Sequence, residues 1–219
     1  MKTTSDKSCG CFVCFGQFSV NKLLVMKKYF VLLAVIVIDL VFSSVYAKSC
    51  VVFFSLDNIE LGTVDASTAA TRPDFNTHTV AQYIAQKTQS DFFRIETLES
   101  YPNKMNEAIS VFQEQLSGEE QPKIKTDQYN LSSYDLIYLG YPVWLNDMPS
   151  EVVTYLNVHK KELEGKTVKI FSTTGGSPNT QSVVKLKQNF QKIVFGNSVY
   201  IQILHKDNYQ KLVDEWLLK

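Results

Sequence analysis

The stretch from Tyr134 to Pro149, YDLIYLGYPVWLNDMP, leaves the chain few folds to choose from. Asp135 to Leu139 is a short, nearly continuous apolar run rich in strand formers, the pattern of a strand buried on both faces. It stops at Gly140, and Tyr141-Pro142-Val143-Trp144 follow as a loop with an aromatic at its tip. Pro149 then opens a helix at a position where its missing N–H is no loss. Strand, loop and helix in that order form the unit of an open α/β sheet. Ligands of such sheets sit outside the carboxyl ends of the strands.

The same unit recurs on both sides of this stretch. Cys50 to Ser55 reads as a first buried strand, and Leu56 to Phe75 as a long loop. A helix begins near Asn76-Thr77, with Val80, Tyr83 and Ile84 on one face. Asp91 to Glu96 alternates as a strand. Tyr101-Pro102 marks a turn, and Met105, Ile109, Phe112 and Leu116 recur at helical spacing. Residues 117–130 form a polar connector. After the central stretch come a helix (Val152, Val153, Tyr155, Leu156), a turn (Leu163 to Lys166) and a strand (Val168 to Phe171). Then follow a polar, glycine-rich loop (Ser172 to Pro178) and a helix (Val183, Val184, Leu186, Phe190). Val199 to Leu204 reads as a fifth strand, and Tyr209, Leu212, Val213, Trp216 and Leu217 as a last helix. This alternation implies a parallel sheet with helices on both faces and right-handed crossovers. Five strands in a domain of this size fit the order 2-1-3-4-5.

The N-terminal part reads differently. Residues 1–25 hold Cys9, Cys11 and Cys14 without the second half of a zinc site, and read as a leader upstream of a true start at Met26. From Met26, Lys27-Lys28, the apolar run Tyr29 to Ile38 and Val45-Tyr46-Ala47 form a secretory signal peptide over residues 26–47. The run is short for a membrane span, and Asp39 would be costly in lipid, so no stable span is expected after cleavage. The domain then covers residues 48–219 in a secreted or periplasmic protein, with Cys50 as a lone thiol that the fold must bury. The whole chain carries 22 basic and 22 acidic side chains, a balance that argues against nucleic acid as a partner.

In a 2-1-3-4-5 sheet the ends of strands 1, 3 and 4 meet at one crevice. Ser55, Asn76 and Thr77 offer hydroxyls and a helix N-terminus, an anion site with no cationic side chain. Asn76 or Thr77 equally suits a plain helix cap. Trp144 offers a flat apolar face to a planar ring, although packing beneath a loop is the commoner fate of such a residue. Thr173 to Ser177 offer donors and close backbone approach, or a flexible connector. No acid, base, nucleophile or metal set stands out, and His78, His159 and His205 read as surface residues. A hydrolase is disfavoured because the chain lacks a G-x-S-x-G elbow.

These residues resemble the flavodoxin-like family of flavin mononucleotide (FMN) proteins, in the branch with a long phosphate-loop insertion. The matching segments are VVFFS (51–55), NTHTVAQYIA (76–85), DFFRIE (91–96), YP (101–102), YDLIYLGYPVW (134–144), MP (148–149), LEGKTVKIF (163–171) and TTGGS (173–177). The resemblance implies a three-layer α/β sandwich with FMN as cofactor. It assigns the phosphate to Ser55, Asn76 and Thr77. It assigns the isoalloxazine to Tyr141, Pro142, Val143 and Trp144 on one side, and to Thr173, Thr174, Gly175, Gly176 and Ser177 on the other. It implies electron transfer or a small flavin-dependent oxidoreductase, with a redox partner protein or a small-molecule electron acceptor. Asp147 near the ring would lower the flavin potential by like-charge repulsion. The chain departs from the family at Phe75, Leu145-Asn146 and Pro178. On those departures rests a second reading, a flavodoxin-fold binding protein that has lost flavin.

Overall fold

Successive residues of the first strand point to opposite layers, and this alternation sorts the whole core. In the computed structural model the described residues are 27–30, 47–56, 76–118, 121–125, 129–176 and 178–219. Residues 1–46 form a separate unit in which only the helical residues 27–30 are described. The leader cysteines and nearly all of the expected signal peptide therefore lie outside the described residues, as do Phe75 and Ser177. No helix among the described residues is long and apolar enough to cross a membrane.

Within residues 47–219 the elements alternate as expected. They are β1 (Ser49–Phe53), α1 (Thr77–Thr88), β2 (Asp91–Arg94), α2 (Met105–Ser117), β3 (Leu136–Pro142), α3 (Ser150–Val158), the short α4 (Lys160–Leu163), β4 (Thr167–Thr174), α5 (Thr180–Asn189), β5 (Val194–Gln202) and α6 (Tyr209–Leu217). The five strands are parallel, in the order 2-1-3-4-5. Val51 and Phe53 join Val80, Ile84, Val213 and Trp216 of α1 and α6 in one core layer. Cys50 and Val52 join Val152, Leu156, Val183 and Leu186 of α3 and α5 in the other. A strand buried on both faces cannot show polar alternation, which is why these segments are apolar runs. Cys50 is buried, and burial pushes its thiol up to about 12, so it is a core residue rather than a nucleophile.

Several boundaries differ from the sequence reading. β4 continues through Ser172, Thr173 and Thr174, which the sequence assigns to a loop; all three are buried and paired with β5. β5 starts at Val194 and ends at Gln202. Its early half is half-buried or exposed and includes Gly196, Asn197 and Ser198, so no apolar run announces it. α2 buries Ala108 and Phe112, whereas Ile109 and Leu116 of the expected stripe are exposed. His159 is not on the surface. It is buried, its Nδ1 lies 3.0 Å from Glu162 Oε1, and its ring packs on Tyr155.

Candidate functional site

The carboxyl ends of β1, β3 and β4 lie side by side, as the strand order requires. Asn76 caps α1 with extended backbone angles, its Oδ1 accepting from Thr79 N at 3.1 Å. The first turn of a helix holds N–H groups that lack carbonyl partners within the helix, together with the positive end of its dipole. Thr77 is the first helical residue and is buried. Its Oγ1 lies 2.7 Å from Thr173 Oγ1 at the end of β4. Val143 N donates to Thr173 O at 2.8 Å, so the β3 loop is tied to the same point. Ser55, just beyond β1, is also buried.

Sequence reasoning missed a cation here. Arg94 ends β2, beside Phe53 in the register, and its guanidinium donates to the Ser55 carbonyl at 2.7 Å. The residues read as an anion site with no cationic side chain thus have one beside Ser55. Arg94 reads in sequence only as one polar residue of an alternating strand. The β1–β2 register, invisible in one chain segment, carries it to Ser55.

The four residues of the aromatic loop are placed in different environments. Tyr141 is fully buried, its hydroxyl 2.9 Å from Ser182 Oγ, and burial pushes its phenol above the ordinary range. A ligand at the strand ends meets its backbone, not its ring. Pro142, Val143 and Trp144 are half-buried. Trp144 packs edge-on against Phe112, Phe54 and Tyr101, with centroids at 5.2, 5.8 and 6.0 Å. Its ring is therefore fixed by packing, and its half-buried state leaves part of it uncovered.

Trp144 and Asp147 exchange backbone hydrogen bonds of 2.9 and 2.8 Å around Leu145 and Asn146, whose φ angles are 48° and 65°. This is a two-residue hairpin turn needing positive φ at both central positions. Asn tolerates that conformation, but Leu is strained in it and here is exposed. Leu145→Asn should therefore raise stability by about 0.5–1 kcal/mol. A urea midpoint that stays put or falls would show that the turn is not strained. Asp147 is paired with Lys185 and accepts from Met148 N at 2.9 Å. Its charge is met within the protein, which offsets the repulsion expected of it toward a reduced ring.

On the far side, Thr174 is buried at the end of β4, while Gly175, Gly176 and Pro178 are exposed. Thr174 Oγ1 accepts from Gly176 N at 3.1 Å and holds the glycine pair in a turn. Nothing lies within 4 Å of a Cβ built on Gly176, so this edge is open. The structure thus joins Thr77, Thr173 and Val143 directly, places Ser55 beside Arg94, and turns the Tyr141 ring away into the core. A buried hydroxyl pair, a helix N-terminus, an arginine and a glycine turn at one sheet edge suit a phosphate-bearing ligand with a planar group.

Known proteins resemble the chain in sequence family and in fold. The family model described as Flavodoxin matches residues 69–218. A candidate flavoprotein from Bacteroides eggerthii is 23% identical and has a TM-score of 0.58, covering 78% of this chain and 96% of its own. A second, from Bacteroides uniformis, is 22% identical with a TM-score of 0.58, covering 79% and 99%. A flavoprotein from Lactobacillus acidophilus, solved in complex with FMN, is 17% identical with a TM-score of 0.55, covering 77% and 99%. No curated protein sequence matches the chain. With the sheet order, the helix layers and a family match over most of the domain in agreement, the chain belongs to the flavodoxin family.

Proposed function

We propose that the chain is an exported, FMN-binding flavodoxin-like protein that passes electrons to a redox partner protein or a small-molecule acceptor. The observation that carries this reading is the 2.7 Å contact between Thr77 and Thr173, which closes the N-terminus of α1 onto the end of β4. The relative from Lactobacillus acidophilus, of the same fold, holds FMN.

Bound flavin would supply the electron-transfer chemistry, and the protein would supply binding, orientation and electrostatics. Ser55, Thr77 and the first turn of α1 would hold the phosphate, with the charge of Arg94 nearby. Pro142, Val143 and Trp144 would border one side of the ring system, and the Thr174-Gly175-Gly176 turn the other. Trp144 would bring an already ordered ring, so little side-chain entropy is lost on binding.

The phosphate assignment is tested by comparing FMN with riboflavin in fluorescence titrations of the full-length protein. FMN should bind at least about tenfold more tightly, and Thr77→Val should narrow the gap. Equal affinities for the two flavins would rule the phosphate site out. Export rests on the residues around Met26 and Ala47. Mass spectrometry of the protein from its native cell should find an N-terminus near Lys48; an intact chain beginning at Met1 would exclude export by cleavage.

A further inference from the structure

A cavity of about 800 Å³ opens between α2, the segments before and after it and the start of α3. It shares no lining residue with the flavin site, and Tyr101 separates it from Trp144. Its described ionisable lining is Glu99, Glu114 and Glu151 against Lys123. With these groups charged, the cavity is acidic.

Glu151, in the first turn of α3, has no exposed surface. Its Oε1 accepts from Tyr101 Oη at 2.6 Å and from Gln115 Nε2 at 3.2 Å. Its Oε2 is covered and accepts no hydrogen bond from any other described residue. Buried carboxylate oxygens are rarely left so, because the lost hydration is not repaid. Burial raises the Glu151 carboxyl above its usual range, opposed by the hydrogen bonds from Tyr101, from its own backbone and from Gln115. A positively charged N–H donor would complete the Oε2 bonding and favour the ionised form. Gln115 is half-buried, its Nε2 makes the longer of the two bonds to Glu151 Oε1, and its own Oε1 lies 2.8 Å from Tyr101 Oη, so a donor that displaces it leaves the Tyr101 proton wholly to Glu151. The Tyr101 ring gives such a cation an aromatic wall.

We propose that this cavity binds a small organic cation of the amidinium or primary ammonium class, anchored on Glu151 and attracted by Glu99 and Glu114. A buried acid at a mostly acidic wall selects charge as well as hydrogen bonding, so a neutral amide of the same shape binds less well.

Calorimetry of the full-length protein without flavin separates this site from the flavin reading. Benzamidine should bind saturably and at least about tenfold more tightly than benzamide. Glu151→Gln keeps the side-chain shape and a hydrogen-bonding partner for Tyr101, and should weaken benzamidine at least about tenfold. The double change Glu99→Gln and Glu114→Gln, at two exposed positions, should weaken it about threefold. Equal affinity for benzamidine and benzamide, no saturation by about 10 mM, or affinity retained in Glu151→Gln would overturn the proposal.

Discussion

Gly140→Ala should cost the fold about 3 kcal/mol or more, read as a fall in the urea midpoint. Gly140 pairs with Phe171 across β3 and β4. A Cβ built on it would lie 2.1 Å from Phe171 Cζ and 2.4 Å from Cε2. Phe171 is fully buried beneath α1 and α6, so its ring has nowhere to go. Overpacking of this kind typically costs about 1–3 kcal/mol, and an overlap this deep belongs at or above the top of that range. Phe171→Leu removes the atoms that collide. The double variant should recover at least about 1 kcal/mol relative to the sum of the single changes. Because Thr173 lies two residues beyond Phe171, Gly140→Ala should also loosen the hydroxyl contact at Thr77. Strict additivity of the two changes would mean that the glycine serves something other than the ring's space.

Lys166→Met should cost about 2–4 kcal/mol. Lys166 enters β4 from the turn at Gly165, and its Nζ donates to the carbonyls of Leu131, Ser132 and Tyr134, the first two at 3.0 Å. Those carbonyls end the short 3-10 turn that leads into β3. One ammonium therefore fixes the entry of the central strand to the entry of its neighbour. Hydrogen bonds with a charged partner contribute about 1.5–3 kcal/mol each, and the three share one cation, so the sum is not additive. Methionine keeps most of the apolar stem, so the loss reports the ammonium and not the packing. Urea unfolding of the variant should show a lower midpoint at unchanged slope; an unchanged midpoint would mean that water replaces the ammonium without loss.

These two clamps mark the limit of what one sequence conveys. Strand order was legible because apolar runs such as Cys50 to Ser55 alternate with helix-spaced residues, and parallel strands admit few right-handed windings. The start of α1 was legible because Asn76 carries its own cap signal. Ser172 to Thr174 misled because hydroxyl residues read as loop, whereas a central strand buries them when a neighbour is paired to it. His159 misled for a related reason: Lys160 and Lys161 beside it suggest a polar surface, yet its ring faces Tyr155 and Glu162. The contacts that define the site were illegible because each joins distant segments. Thr77 to Thr173, Arg94 to Ser55, and Phe171 over Gly140 exist only once the register is set. Trp144 shows the boundary most clearly. Sequence offered a ligand wall or a packed aromatic, and the structure packs it against Phe54, Tyr101 and Phe112 while leaving it half-buried at the sheet edge.

Direct titration of the full-length protein tests whether this edge holds FMN. FMN fluorescence should be quenched saturably at a one-to-one ratio, with a Kd of about 10 μM or tighter. Unquenched fluorescence with about 100 μM protein in excess over the flavin would contradict the account.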